Sequence, residues 1–227
     1  MLKRRSPVFV SGASVIHAKG TIMGERVKAR ILVLSDNPYG EGHKMLTALS
    51  YEFGKISICA KGAKSAKSPF LASCQLFCYS DAELSAGKNG IYTLCEALLI
   101  HSFYDLREDL DTMFLACDMA RETLMMARED DPDPELLRLI LNSLYFISTG
   151  KRDLALARAV FDVRLLSDQG FFEFPSSVKK EGTRDALVHI TSKDLKELYA
   201  FGVDETVRSE LIDVAAFAVK RFEQNVF

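Results

Sequence analysis

Gly54-Lys55-Ile56-Ser57-Ile58-Cys59-Ala60-Lys61-Gly62-Ala63-Lys64-Ser65-Ala66-Lys67-Ser68-Pro69 opens as a short strand and closes as a small-residue loop studded with lysine. Gly, Ala and Ser separate Lys61, Lys64 and Lys67, so little side-chain bulk keeps a polyanion from the peptide N–H groups. The spacing departs from the Gly-x-x-x-x-Gly-Lys-Ser/Thr phosphate loop, which favours an extended nucleic-acid strand over a single nucleotide as ligand. No carboxylate stands between Glu52 and Asp81, so the loop's cations are undiluted along the chain.

Working outward, His43 to Tyr51 and Lys55 to Ala60 flank Gly54 as a hairpin. Upstream, Val27, Ala29, Ile31 and Val33 alternate with Lys28, Arg30, Leu32 and Leu34, the period of a pleated strand with a basic end. Asp36-Asn37-Pro38-Tyr39-Gly40 reads as the turn that follows. Apolar runs at residues 70–79 and 91–100 supply two further strands. Five strands over residues 23–100 predict a small Greek-key barrel of the oligonucleotide/oligosaccharide-binding (OB) type, whose face and loops track a nucleic-acid backbone.

Charge divides the chain in two. Residues 1–80 carry 12 Lys and Arg against 4 Asp and Glu, and residues 81–227 carry 17 against 27, so a module of net charge +8 precedes one of −10 within an overall −2. The average pI near 6.1 therefore hides a local cationic surface, which is all that counterion release requires. With 48% hydrophobic residues and no apolar run of about 18, the composition predicts a globular cytoplasmic protein with ordinary cores and no membrane span. The five cysteines (59, 74, 78, 95 and 117) are odd in number and lie mostly in apolar runs, which suits reduced thiols.

Residues 1–22 read as an extension. Lys3-Arg4-Arg5 precedes Val8-Phe9-Val10-Ser11-Gly12 without the sustained apolar core of an export signal, and without the later glycines of a dinucleotide loop. Met23 marks the expected start of the functional domain.

Beyond His101 the period turns helical, over residues 101–227. Leu106, Leu110, Met113, Phe114, Cys117 and Leu124 are expected on one face of a helix over residues 105–128. Asp133-Pro134 reads as cap and first residue of a second helix running to Ser148. A third helix is expected from Asp153 to Ser167, then irregular chain to about Ser192, a short helix, and a final helix from Glu205 to Phe222 with Val207, Leu211, Val214, Ala218 and Phe222 inward. The predicted class is α+β: a five-stranded OB barrel followed by a mainly α-helical domain.

The order of several short pieces carries a resemblance. Tyr39-Gly40-Glu41 with Leu46-Thr47, then Gly54-Lys55-Ile56, Ala60-Lys61-Gly62-Ala63, Lys67-Ser68, and later Phe161-Asp162-Val163-Arg164-Leu165-Leu166 with Gly170 stand in the order and approximate spacing of the RecO family, which this chain resembles over residues 26–222. The resemblance implies a DNA repair and recombination mediator without catalytic turnover. Such a protein binds single- and double-stranded DNA, anneals complementary strands, engages the acidic C-terminal tail of the single-stranded DNA-binding protein SSB, and works with RecR to load RecA. Many members carry four cysteines in paired C-x-x-C form after the Leu-Leu-x-x-x-Gly piece; here none follows Cys117, so no structural zinc is expected.

The DNA-contact candidates are Arg26, Lys28 and Arg30 on the first strand, Lys44, Lys55, and loop residues Lys61, Lys64 and Lys67. Tyr39, Phe70 and Tyr92 are candidates for base stacking. An acidic, apolar tail calls for a greasy notch rimmed by cations, and Arg158, Phe161 and Arg164 are the candidates for it. Histidines 17, 43, 101 and 189 are scattered outside any Gly-x-Ser-x-Gly or His-Glu-x-x-His context, so no catalytic set or cofactor is assigned. An OB-fold RNA chaperone is the alternative reading; a dinucleotide-dependent oxidoreductase is the more distant rival.

Overall fold

A computed structural model describes residues 24–150, 152–176 and 178–226; the extension over residues 1–22 and the start at Met23 lie outside them. Five strands, β1 (Arg26–Tyr39), β2 (His43–Ser50), β3 (Gly54–Ala60), β4 (Tyr79–Ala86) and β5 (Ile91–His101), close into a barrel in the order β1-β2-β3-β5-β4. All neighbours are antiparallel except β3 and β5, which pair in parallel from Ser57↔Ile91 to Cys59↔Thr93. This is the OB-type barrel expected.

The long first strand explains how barrel and helices fit together. Val27, Ala29, Ile31 and Val33 point into the barrel and are buried. On the other face Lys28 and Arg30 give way to Leu32 and Leu34, both buried in a second core shared with the helices. Where that face turns from cation to leucine, the helical body covers it.

Five helices follow: α1 (Leu110–Met126), α2 (Pro134–Ser148), α3 (Leu154–Asp168), α4 (Glu181–Ser192) and α5 (Glu205–Val226). Asp109, Asp133 and Asp153 accept hydrogen bonds from the N–H groups of Thr112, Leu136 and Leu156, capping the first three. The capping reading of Asp133-Pro134 therefore holds, and α3 and α5 lie where expected.

Three expectations are corrected. Residues 70–77 form turns, not a strand; the fourth strand is Tyr79–Ala86, where Ala82 and Leu84 face the core and Asp81 and Glu83 face out. The apolar residues of the loop act as plugs: Ala63 and Cys74 enter the barrel core, and Phe77, in the left-handed region at φ 66°, enters the shared core. Residues 170–192 are not irregular throughout, since α4 buries Thr183, Ala186, Leu187 and Ile190. The face of α1 is also displaced. Tyr104–Arg107 form a separate 3-10 turn, α1 buries Leu115, Ala116, Met119, Ala120 and Thr123, and Leu110 and Phe114 are exposed.

Barrel and helices meet again at the start of β3. Gly54, at φ +68°, bridges Glu129 in the α1–α2 connection, and the Lys55 N–H donates to the Arg128 carbonyl at 2.9 Å.

Candidate nucleic-acid interface

After Ala60 the chain leaves β3 through residues 61–78, and its first turns fold onto the β1–β2 connection at residues 40–42. The Gly62 N–H donates to His43 Nδ1 at 2.9 Å, the Lys64 N–H donates to the Gly42 carbonyl at 3.2 Å, and Lys64 Nζ reaches the Gly40 carbonyl at 3.4 Å. Gly62 takes φ +70°, a conformation glycine adopts without strain. With Ala63 buried beneath, Lys61, Lys64 and Lys67 project to solvent. Among the described residues none of the three has a carboxylate within ion-pair distance. Tyr39, 52% exposed, stands at the end of β1 beside the same connection. One rim of the barrel thus joins three unpaired ammonium groups, a backbone turn and an exposed ring, the parts a single strand's phosphates and bases need.

The other five DNA candidates are not brought to this rim. Lys44 is turned inward, its Nζ 2.5 Å from Asp36 and 2.9 Å from the Cys74 carbonyl, so it fastens the plug instead of facing solvent. On β1, Arg26 pairs with Glu83 at 2.6 Å and Arg30 with Glu52 at 3.6 Å, while Lys28 stands in register with Glu83. That face is mixed in sign because β4 places Glu83 opposite Lys28 and Asp81 opposite Arg30, and the β2–β3 turn adds Glu52. Lys55 lies at the far end of β3 beside Glu129, roughly 20 Å from Lys61 at a rise of about 3.3 Å per residue. Of the other rings, Tyr92 is buried against Phe53 with centroids 5.8 Å apart, and Phe70 packs on the barrel core.

Cys74 and Cys78 are buried, and burial pushes the Cys74 thiol up to about 11. Among the described residues no group of three or more His, Cys, Asp or Glu side chains could hold a metal ion.

The tail-binding candidates are resolved by packing. Phe161 is fully buried in the shared core, so it anchors α3 and does not line a surface notch. Arg164 pairs with Asp168 at 2.8 Å and donates to the carbonyls of Ile190 and Lys193, tying α3 to the end of α4. Arg158 is enclosed by Asp118, Glu122 and Asp162. An apolar groove lies one helix face away. Met125 and Met126 of α1, Leu165 and Leu166 of α3, and Val219 and Phe222 of α5 line a groove of about 580 Å³, with Arg121 and Lys220 on its rim. The displaced α1 face is what hid it from the sequence, since Arg121 and Met125 form an exposed i,i+4 pair only in the observed register.

Glu122 and Asp162 also line this groove, and burial raises the pKa of both despite Arg158, Glu122 to about 8. Between about pH 4.3, where an unfolded glutamate titrates, and pH 8 the folded protein holds a proton that the unfolded chain releases. Folded stability therefore falls as pH rises through that window. The variant Glu122→Gln, which is neutral throughout, should melt above the wild type at pH 8 and match it near pH 4.5, with a gap of about 1–3 kcal/mol at pH 8 after allowance for coupling. Equal melting temperatures at both pH values would contradict the raised value.

A rim of lysines without carboxylate partners thus stands on a five-stranded barrel of the OB type, seated on a helical body with its own apolar groove. Family models for the N-terminal and C-terminal parts of Recombination protein O match residues 23–103 and 107–172. The chain is 33% identical to the DNA repair protein RecO of Acetivibrio thermocellus over 235 residues, covering 88% of this chain and 93% of that one. It is 32% identical to the DNA repair protein RecO of Clostridium novyi over 65% of this chain and 57% of that one, and 34% identical to its counterpart in Desulfitobacterium hafniense over 63% and 51%. The chain belongs to the RecO family of DNA repair and recombination proteins. Among the described residues no helix is long and apolar enough to cross a membrane.

Proposed function

We propose that this protein is a recombination mediator that acts by binding and not by turnover. It holds single- and double-stranded DNA at the rim formed by Lys61, Lys64 and Lys67, brings complementary strands together, and, with RecR, helps RecA onto DNA coated by SSB in the nucleoid. The observation that carries the reading is the set of three unpaired lysines on one barrel rim, in a chain whose family is one of DNA repair. The groove between α1, α3 and α5 supports the partner role. An apolar floor suits the large apolar residues of the SSB tail, and Arg121 and Lys220 offer its acidic residues cations beside the groove's own Glu122, Asp162 and Glu223.

The test is annealing of complementary oligonucleotides coated with SSB, with and without free tail peptide. The mediator reading expects annealing above the uncatalysed rate and inhibition by the peptide. An RNA chaperone would anneal RNA at least as well and ignore the peptide, and a dinucleotide enzyme would do neither. Lys220→Glu, at an exposed position, should weaken peptide binding roughly three- to tenfold and leave binding to naked DNA unchanged, since rim charges act mainly on encounter. Unchanged peptide affinity in that variant would move the tail off this groove.

A further inference from the structure

The groove carries an ionisable wall. Arg158 is the one guanidinium among three carboxylates: its Nε lies 2.8 Å from both oxygens of Asp162, its Nη1 lies 3.3 Å from Asp118, and its Nη2 bonds Glu122. Asp162 is buried, 5% exposed, and Glu122 beside it is half-buried, so water screens the pair only in part. Of the charged groups around them, Arg121 on α1 is occupied by Asp118 at 3.1 Å, and α5 presents Lys220 and Glu223 to the groove. Two carboxylates therefore share one cation at the edge of a cavity whose floor is apolar.

We infer that the groove takes up a proton when an acidic ligand enters it, the proton coming from solvent and residing on the Glu122 carboxyl, which donates it to Asp162. The inference rests on the reading of the groove as the acidic-tail site. A ligand carboxylate entering the cavity adds a third negative charge to a pair already short of compensation, which favours the protonated pair over the doubly ionised one. In the free protein burial and Asp162 already hold Glu122 near pH 8, so the uptake falls within an accessible range. Binding tightens below that point and weakens above it. Arg158 stays charged throughout and holds both carboxyl groups in place, whichever carries the proton.

The experiment uses the full chain and a fluorescent peptide copying the C-terminal tail of the same organism's SSB, titrated between pH 6.5 and 9.5. Calorimetry at pH 8 in two buffers of different ionisation enthalpy counts the protons taken up. The wild type should lose about fivefold in affinity between pH 8 and 9 and take up about half a proton per peptide at pH 8. Glu122→Gln, which mimics the protonated group, should bind with a flat pH profile, take up no proton, and exceed the wild type about tenfold at pH 9. Peptide carboxylates titrate below this range. Matching pH profiles in wild type and Glu122→Gln, or no proton uptake by the wild type, would overturn the inference while leaving the tail reading intact. Absence of peptide binding at every pH in both proteins would overturn the tail reading and the inference together.

Discussion

Replacing Lys61, Lys64 and Lys67 together with glutamate should lower affinity for single-stranded DNA by about 100- to 1,000-fold at 50 mM salt and by about 30-fold at 200 mM. The size follows from counterion release: each lost phosphate contact on a single strand takes about 0.7 from the slope of log affinity against log salt, so three take about 2. The two loss figures differ because that slope multiplies the distance from molar salt, which is longer at 50 mM. Introduced carboxylates add repulsion to these figures. The loop should keep its shape, since it is pinned by the Gly62 and Lys64 N–H groups and by buried Ala63, none of which the substitutions remove. Changes elsewhere should do much less. Arg26→Glu acts on a cation already paired with Glu83, and Lys55→Glu on one beside Glu129 at the other end of β3. A slope unchanged in the triple variant, measured by anisotropy across salt, would take the phosphates off this rim.

That result would also separate what composition shows from what folding decides. The excess of lysine between Glu52 and Asp81 is visible in the chain, but which cations remain unpaired depends on strand neighbours far away in sequence. Arg30 of β1 meets Glu52 in the β2–β3 turn and lies 4.3 Å over the Tyr51 ring, and Lys44 meets Asp36, both through barrel register. The first strand was legible because alternation of Val27, Ala29, Ile31 and Val33 continues far enough to be unambiguous. The fourth was not. Apart from Tyr79 and Leu84, Tyr79–Ala86 is built of Ser, Asp, Ala and Glu, poor strand formers that are held by ladders to β1 and β5 on both sides. The more apolar residues just before it form turns, since they fill the end of one core and the edge of another. On α1 the three helical repeats of apolar residues permit more than one face, and packing against α2 and α3 chose Leu115 and Met119 over Leu110 and Phe114.

The second contact between barrel and helices, at the start of β3, rests on one residue's lack of a side chain. A Cβ at Gly54 would stand 2.4 Å from the Asp131 carbonyl oxygen and 2.7 Å from that of Arg128, both backbone atoms of the α1–α2 connection. Neither can rotate away as a side chain would, and Arg128 and Asp131 are further bound to each other by a bridge and an ion pair at 3.8 Å. Gly54 also sits at φ +68°, where an L side chain costs about 1–2 kcal/mol even in open space. Gly54→Ala must therefore bear that strain and displace the connection, losing the Lys55 N–H bond to the Arg128 carbonyl with it. The expected loss is about 3–4 kcal/mol, or roughly 6–15 °C in melting temperature for a chain of this size. Gly42, whose Cβ would meet nothing within 4 Å, provides the control, and Gly42→Ala should shift melting by less than about 2 °C. Because the lysine rim lies at the other end of β3, the salt slope for DNA should survive in Gly54→Ala at temperatures where the protein is folded. A variant that melts with the wild type would show that the α1–α2 connection yields easily, so that the barrel and the helical body are held together by the shared core of Leu32, Leu34, Leu49, Phe77 and Tyr79 with the helices.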